Sequence, residues 1–259
     1  MKTSERIAAA SRILIKVGSS SITGENQPNL DKIVDLSSAL MGLGKEVIVV
    51  SSGAIATAAS YIGLTVKADD LPTSQAMASI GQTKLMSRYE KSLERHDLIP
   101  GQILLTVDNL DQEVTSLNAL RALERLLEIK VLPIINENDS VATNEIRFGD
   151  NDQLAARVCR LAKVDLLILL SDVDGLYSRP PQELDAEHIP VVAYGSDLSA
   201  IEVSGTSTGY GTGGALTKLA AANMATDGSV GVMLTSTDSV ELLISSDCRH
   251  TWFEPAPKS

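Results

Sequence analysis

The chain has 259 residues, 44% hydrophobic and 21% charged. That is room for one large α/β domain or two small ones with a core that needs no disulfides or metals, and it excludes disorder, collagen and coiled coil as the main architecture. A formal net charge of −11, with no basic run and no aromatics interleaved with Arg or Lys, argues against binding nucleic acid by phosphate neutralisation.

Aromatics are only 3%, so the core is aliphatic, which suits buried parallel strands covered by helices. An anionic substrate would need local positive potential, from a few lysines and helix N-termini. Cys159 and Cys248 make no disulfide framework and fit a reducing cytoplasm. His96, His188 and His250 show no metal-ligand spacing. No apolar run approaches the ~18–20 residues of a membrane span. The first stretch, MKTSERIAAASRILIKVG, is broken by Ser11, Arg12 and Lys16, so it is not a signal peptide. The default location is the cytoplasm, with no membrane partner.

The first strand is expected at 12–17 (RILIKV), rich in Ile, Leu and Val without alternation, as strands buried on both faces read. It runs into KVGSSSITG (16–24). The second, at 46–51 (EVIVVS), runs into SSGAIA (51–56). In open α/β sheets ligands bind at the carboxyl ends of strands. Small residues there let backbone N–H groups approach an anion. A single Gly-Ser turn is most simply a tight turn; two on successive strands, the first carrying Lys16, even the balance. A third strand is expected at 102–106 and a helix over 115–129, with Leu120, Leu123 and Leu127 on one stripe.

After a fourth strand at 130–135 comes INENDSVATNEIRFGDNDQL (135–154), with Asn136, Glu137, Asn138 and Asp139, a hairpin, then Asp150, Asn151 and Asp152. Such groups at a strand end can bind an ammonium, polarise hydroxyls or hold a metal. An EF-hand is excluded by the spacing. The plain alternative is a solvated turn and a helix over 152–163 with Asp152 as N-cap. A fifth strand at 165–170 leads to SDVDGLYS (171–178), where Ser171 and Asp172 precede an Asp-Gly turn. Residues 178–210, rich in Pro, Ser, Thr and Gly, read as an excursion or flap. GYGTGGALTK (209–218) formally contains G-x-G-x-x-G, but polar residues precede it where a dinucleotide fold needs a strand. A P-loop fails on spacing. What remains is a glycine-rich loop feeding a helix, with Lys218 in its first turns. A last strand is expected at 230–235, the pattern runs to about 253, and the tail EPAPKS reads as loose.

Anion loops, two lysines and an acidic cluster together suggest phosphoryl transfer without a P-loop, by positioning and charge neutralisation. Lys16 and Lys218 could approach a polyphosphate from opposite sides, with an acid such as Asp152 holding both ammonium groups.

Over roughly residues 12–253 the chain resembles the amino acid kinase family. SDVDGLYS resembles the family-wide nucleotide-site motif. KVGSSSITG, SSGAIA, INENDSVAT, FGDNDQLAA and GTGGALTK, in that order, resemble the signature of its glutamate-phosphorylating members. The resemblance implies a three-layer α/β/α sandwich around a mainly parallel sheet of about eight strands. It implies one kinase domain over 1–259, with residues 1–163 binding the amino acid and 164–254 binding ATP. The implied reaction converts ATP and L-glutamate to ADP and L-glutamyl 5-phosphate, opening proline synthesis. By the same analogy Lys16 and Lys218 stabilise the transferring phosphoryl group and Asp152 organises them. Ser52, Asp139 and Asn151 hold glutamate, with Asp150 and Asn136 nearby. Lys16, Ser171, Asp172 and the run Thr212, Gly213, Gly214, Ala215, Leu216, Thr217 and Lys218 hold ATP, with Mg²⁺ bridging its phosphates and no protein side chain assigned to the metal. Proline as feedback inhibitor and a homo-oligomer, dimer or tetramer, are further family expectations.

Many relatives carry a C-terminal RNA-modification-type (PUA) domain, and this sequence reads as a form without it. Ser21 stands where relatives usually have an aliphatic residue, which would loosen packing under the first loop. Two alternatives stay open: a related carboxylate or carbamate kinase, and a non-catalytic nucleotide- or proline-sensing protein.

Overall fold

The structure, a computed structural model, describes residues 1–64, 66, 70–141, 151–198 and 214–257. In chain order its elements are α1 (Thr3–Ala9), β1 (Arg12–Val17), α2 (Ser19–Ile22), α3 (Asn29–Gly42), β2 (Glu46–Ser51), α4 (Ala54–Ile62) and α5 (Leu71–Leu93). There follow β3 (Pro100–Leu105), α6 (Val107–Asp111), α7 (Glu113–Glu128), β4 (Leu132–Glu137), α8 (Asn151–Leu161) and β5 (Leu166–Ser171). The remainder is β6 (Leu176–Tyr177), β7 (His188–Ile189), β8 (Val191–Val192), α9 (Ala215–Asp227), β9 (Gly231–Ser236) and β10 (Thr251–Phe253).

Eight strands form one sheet in the order β3-β4-β2-β1-β5-β9-β10-β8. All its pairings are parallel except β9 with β10. The expected mainly parallel sheet is therefore what the chain builds. Two aliphatic cores sandwich it. Leu14, Ile48 and Leu167 face one core with residues of α7, α8 and α9. Ile13, Ile15, Val17, Val47 and Val49 face the other with residues of α3 and α5. The alternation of strand side chains sorts the residues between the layers. Lys16 shares the Leu14 face of β1 and so points toward α8 and α9.

Several boundaries differ from expectation. β3 begins at Pro100 rather than 102; proline is tolerated as the first residue of an edge strand. β4 runs on to Glu137, because Asn136 and Glu137 are buried within the strand rather than opening a polar turn. The 178–210 excursion is partly sheet: β6 pairs β7, and β8 joins the main sheet beside β10. Its residues 199–210, like the expected hairpin before α8, lie outside the described residues. The tail is not loose through Ala256, since Glu254 N donates to the Val192 carbonyl and Ala256 N to the Thr226 carbonyl (both 2.9 Å). Asp152 is no N-cap: α8 begins one residue earlier, at Asn151, and the Asp152 carboxylate is committed to lysines.

α4 and α5 pack closely at Gly81. A Cβ there would lie 1.8 Å from the backbone oxygen of Ala54, at the start of α4. Backbone cannot yield as a side-chain tip can. Gly81→Ala is therefore expected to force the helices apart, costing about 1–3 kcal/mol as overpacking does. Thermal denaturation reads this as a Tm lowered by several degrees; an unchanged Tm would mean that the contact is slack.

Candidate active site

The parallel strands all deliver their carboxyl ends to one edge of the sheet. From β1 the chain moves outward to β2 and the edge strand β3, steps back to β4 between them, and then crosses to the other side of β1 to form β5 and β9. The order thus reverses at β1, the kind of switch point at which open α/β sheets place their ligands. Lys16 sits near the end of that strand.

Three charged groups meet there. Lys16 Nζ is ion-paired with Asp152 Oδ1, and Lys218 Nζ lies 3.5 Å from Asp152 Oδ2. Their relative exposures are 2% for Lys16, 0% for Asp152 and 8% for Lys218, so little water screens them. Thr217 Oγ1 donates to the Gly214 carbonyl (2.7 Å) and to Asp152 Oδ2 (3.2 Å), tying the start of α9 to the same carboxylate. Gly214 is the N-cap of α9 and has no side chain, so the first-turn N–H groups of Ala215, Leu216 and Thr217 receive no side-chain cap from it. The Leu216 side chain is exposed, leaving its backbone to contribute. An uncapped helix start with two lysines beside it is chemically suited to a polyphosphate.

On the β2–β4 side lies an amide ladder. Asn151 Nδ2 donates to Ser52 Oγ (2.9 Å) and to Asn136 Oδ1 (3.0 Å). Glu137 N donates to Asn136 Oδ1 (2.8 Å) and to Asn151 Oδ1 (3.3 Å). Asn136 Nδ2 is buried with no partner among the described residues. An unsatisfied buried donor is costly, and a ligand oxygen would satisfy it. Gly53, next to Ser52, has φ of 101°, a left-handed conformation that admits glycine at little cost.

Asp139 lies two residues past β4 in a 3-10 turn, half-buried, with no hydrogen bond or ion pair among the described residues. Burial pushes its carboxyl up to about 6. An ammonium ligand would favour its charged form.

On the far side of β1, Ser171 ends β5, and its hydroxyl donates to Asp172 Oδ1 (3.0 Å). Thr237, just past β9, donates to the Ser171 carbonyl (3.2 Å) and to Ser21 Oγ (3.0 Å). Ser21 therefore does not loosen the loop after β1; its buried hydroxyl is bonded to a residue of the neighbouring loop. Sequence reading did not single out Thr237, one more hydroxyl in the run TSTDS.

The structure thus joins Lys16, Asp152, Lys218 and Thr217 in one cluster, and Ser52, Asn136 and Asn151 in another. It places Asp139 past β4 and Ser171 with Asp172 past β5, without a direct bond from these to either cluster. Asp150, Thr212 and Gly213 lie outside the described residues.

The pattern of the Amino acid kinase family matches residues 11–236. The chain belongs to the amino acid kinase family. Curated relatives include proteins named Glutamate 5-kinase. One from Clavibacter sepedonicus is 52% identical over 96% of this chain and 96% of its own length. One from Leifsonia xyli subsp. xyli is 49% identical over 98% and 94%. One from Salinispora arenicola is 44% identical over 98% of this chain and 70% of its own length. Among solved structures, an isopentenyl phosphate kinase of T. acidophilum shares the fold, with a TM-score of 0.63 at 17% identity over 94% of this chain and all of that one.

The lysine cluster generates a kinetic expectation. Lys16→Ala and Lys218→Ala should each lower kcat by ~10²–10³-fold, as loss of one preorganised charge contact typically does. Arginine should rescue poorly, its planar head being bulkier and differently placed. Steady-state turnover at saturating substrates measures this; near-wild-type kcat removes that lysine from the transfer step.

Proposed function

We propose that the chain transfers the γ-phosphoryl group of ATP to the side-chain carboxylate of L-glutamate, giving ADP and L-glutamyl 5-phosphate, the opening step of proline synthesis. The observation that carries this reading is the Asp152 carboxylate shared by Lys16 and Lys218 beside the Ser52–Asn151–Asn136 ladder. The names of relatives at about half identity over nearly the whole chain support it.

In this reading the reaction needs two anions to meet and one bond to be exchanged. A carboxylate oxygen of glutamate attacks the γ-phosphorus in line, and the β–γ bridging oxygen leaves with ADP. Charge on the phosphoryl oxygens is what the site must stabilise. Lys16 approaches from β1 and Lys218 from α9, and Asp152 fixes their spacing. The first turn of α9, from Gly214 through Thr217, receives the nucleotide phosphates with Ser171 and Asp172, and Thr212 and Gly213 precede it in sequence. Mg²⁺, to which no protein side chain is assigned, would supply charge neutralisation at the nucleotide phosphates held by the first turn of α9. Ser52, Asn151 and Asn136 present hydroxyl and amide groups to glutamate, with Asp150 beside Asn151 in sequence. Asp139 pairs with its α-ammonium. Residues 1–163 then serve the amino acid and 164–254 the nucleotide, with the lysine cluster spanning both. A homo-oligomeric assembly and feedback by proline belong to the same reading on family resemblance alone, and a cytoplasmic location on cysteine usage and the character of the first stretch. Among the described residues no helix is long and apolar enough to cross a membrane.

The direct test is formation of glutamyl hydroxamate from L-glutamate, ATP, Mg²⁺ and hydroxylamine, which traps the acyl phosphate. Product is expected with glutamate. Equal product with aspartate or N-acetylglutamate, or none with glutamate, overturns the reading.

Asp139 adds a pH dependence. Burial pushes its carboxyl up to about 6, and only the charged form can pair with an ammonium. As pH falls through about 6, Asp139 gains a proton and the glutamate KM should rise, approaching tenfold per pH unit in the acid limit. Glutamate binding holds Asp139 ionised, so kcat should vary less. Asp139→Asn should raise glutamate KM by roughly 10²-fold at neutral pH, as loss of a desolvated charge partner costs about 2–5 kcal/mol, and should abolish the break near 6. ATP KM should change little. If Asp139 has no part in binding glutamate, the substitution will leave the glutamate KM profile intact.

A further inference from the structure

α5 carries a stripe of buried residues at Gly81, Leu85 and Tyr89, spaced four apart and so on one helical face. That face meets the chain on both sides of Ser52 and Gly53. Gly81 lies against the Ala54 carbonyl, immediately after the pair. Tyr89 OH donates to Ser51 Oγ (2.9 Å), immediately before it.

The bond does not stop there. Ser51 Oγ donates to the Ser52 carbonyl (3.1 Å), and Ser52 Oγ accepts from Asn151 Nδ2 (2.9 Å). A continuous relay thus runs from α5 through the end of β2 to the residue beside Asp152. Tyr89 and Ser51 are both fully buried. The core around them is aliphatic, including Val17, Ile22, Val49 and Leu85. Phenylalanine would fill that space equally well, so packing alone does not call for the hydroxyl.

We propose that Tyr89 is a positioning residue for glutamate: through Ser51 it fixes the Ser52–Gly53 loop, with Gly81 holding the other end. The assignment rests on Ser52 belonging to the glutamate site, as argued above. Tyr89 itself touches neither substrate. Its hydroxyl sets where the Ser52 backbone turns, and so where the Ser52 side chain meets Asn151. Without that hydroxyl the Ser51 side chain loses its donor from α5 and keeps only its own bond to the Ser52 carbonyl, and the loop that follows gains freedom that glutamate must remove on binding.

The test compares wild type, Tyr89→Phe, Ser51→Ala and the double variant. Each single variant should raise glutamate KM by roughly two- to tenfold, the scale of one neutral hydrogen bond. kcat and ATP KM should stay within about twofold. The double variant should be no worse than the poorer single one, because both remove the same relay. Multiplying effects, or a lowered Tm with unchanged glutamate KM, overturns the proposal. Amide hydrogen exchange separates it from the functional reading, since it needs no turnover. In Tyr89→Phe, exchange should quicken over residues 52–57 while β4 and β5 keep wild-type protection. Unchanged exchange at 52–57 overturns the positioning role whatever the substrate. Wild-type protein that forms no hydroxamate from glutamate overturns the functional reading and, with it, the assignment of this loop to glutamate.

Discussion

The arrangement turns on one carboxylate. Asp152 is fully buried and accepts contacts from Lys16, Lys218 and Thr217. Withdrawing three charged groups from water is costly, and apolar packing of similar volume is often as stable or more so. Such a cluster is poorly explained as a stabilising device. Its effect is geometric: one acid holds two cations from different elements at fixed spacing. For phosphoryl transfer that matters, because donors already in place need no reorganisation when charge develops.

The sheet order makes this meeting workable. β1 lies between β2 and β5, with the lysine on the face covered by α8 and α9. A lysine one residue earlier or later on β1 would point into the opposite core, among Ile13, Ile15 and Val17. The same parallel register sends the loops after β2 and β4 to one side of Lys16 and those after β5 and β9 to the other. Two substrates can then approach a common centre without crossing. The Thr237 hydroxyl, bonded to Ser21 and to the Ser171 carbonyl, joins the loops after β1, β5 and β9.

Much of this was legible in the chain. Aliphatic runs bounded by small residues located β1 and β2 to the residue, because strands buried on both faces have a sharp compositional edge. β4 was harder: Asn136 and Glu137 are polar, yet they continue the strand, with Asn151 bonded to the Asn136 side-chain oxygen and to the Glu137 backbone N–H in the interior. Composition cannot reveal a partner fourteen residues away. The same limit explains Asp152, which has the chemistry of an N-cap and sits where caps occur, but has a stronger claim from two lysines. β7 and β8 are two-residue strands, too short for any periodicity to show. The Tyr89–Ser51 bond spans 38 residues between a long helix and a strand end, and neither residue type signals it.

The two halves of the site are joined at the first turn of α8. Asn151 and Asp152 are consecutive, and consecutive helical residues point about 100° apart. Asn151 therefore reaches the loops after β2 and β4 while Asp152 reaches β1 and α9. Neither side chain can be displaced along the helix axis without moving the other. The amide that meets Ser52 and the carboxylate that spaces the lysines are thus set by a single backbone placement. If Asn151 binds the acceptor and the lysines the transferring group, as proposed, the two positions are not adjusted independently. In the proposed reading, a glutamate bound against Asn151 would sit at a set distance from the cations that Asp152 holds, as an in-line attack between two bound anions demands.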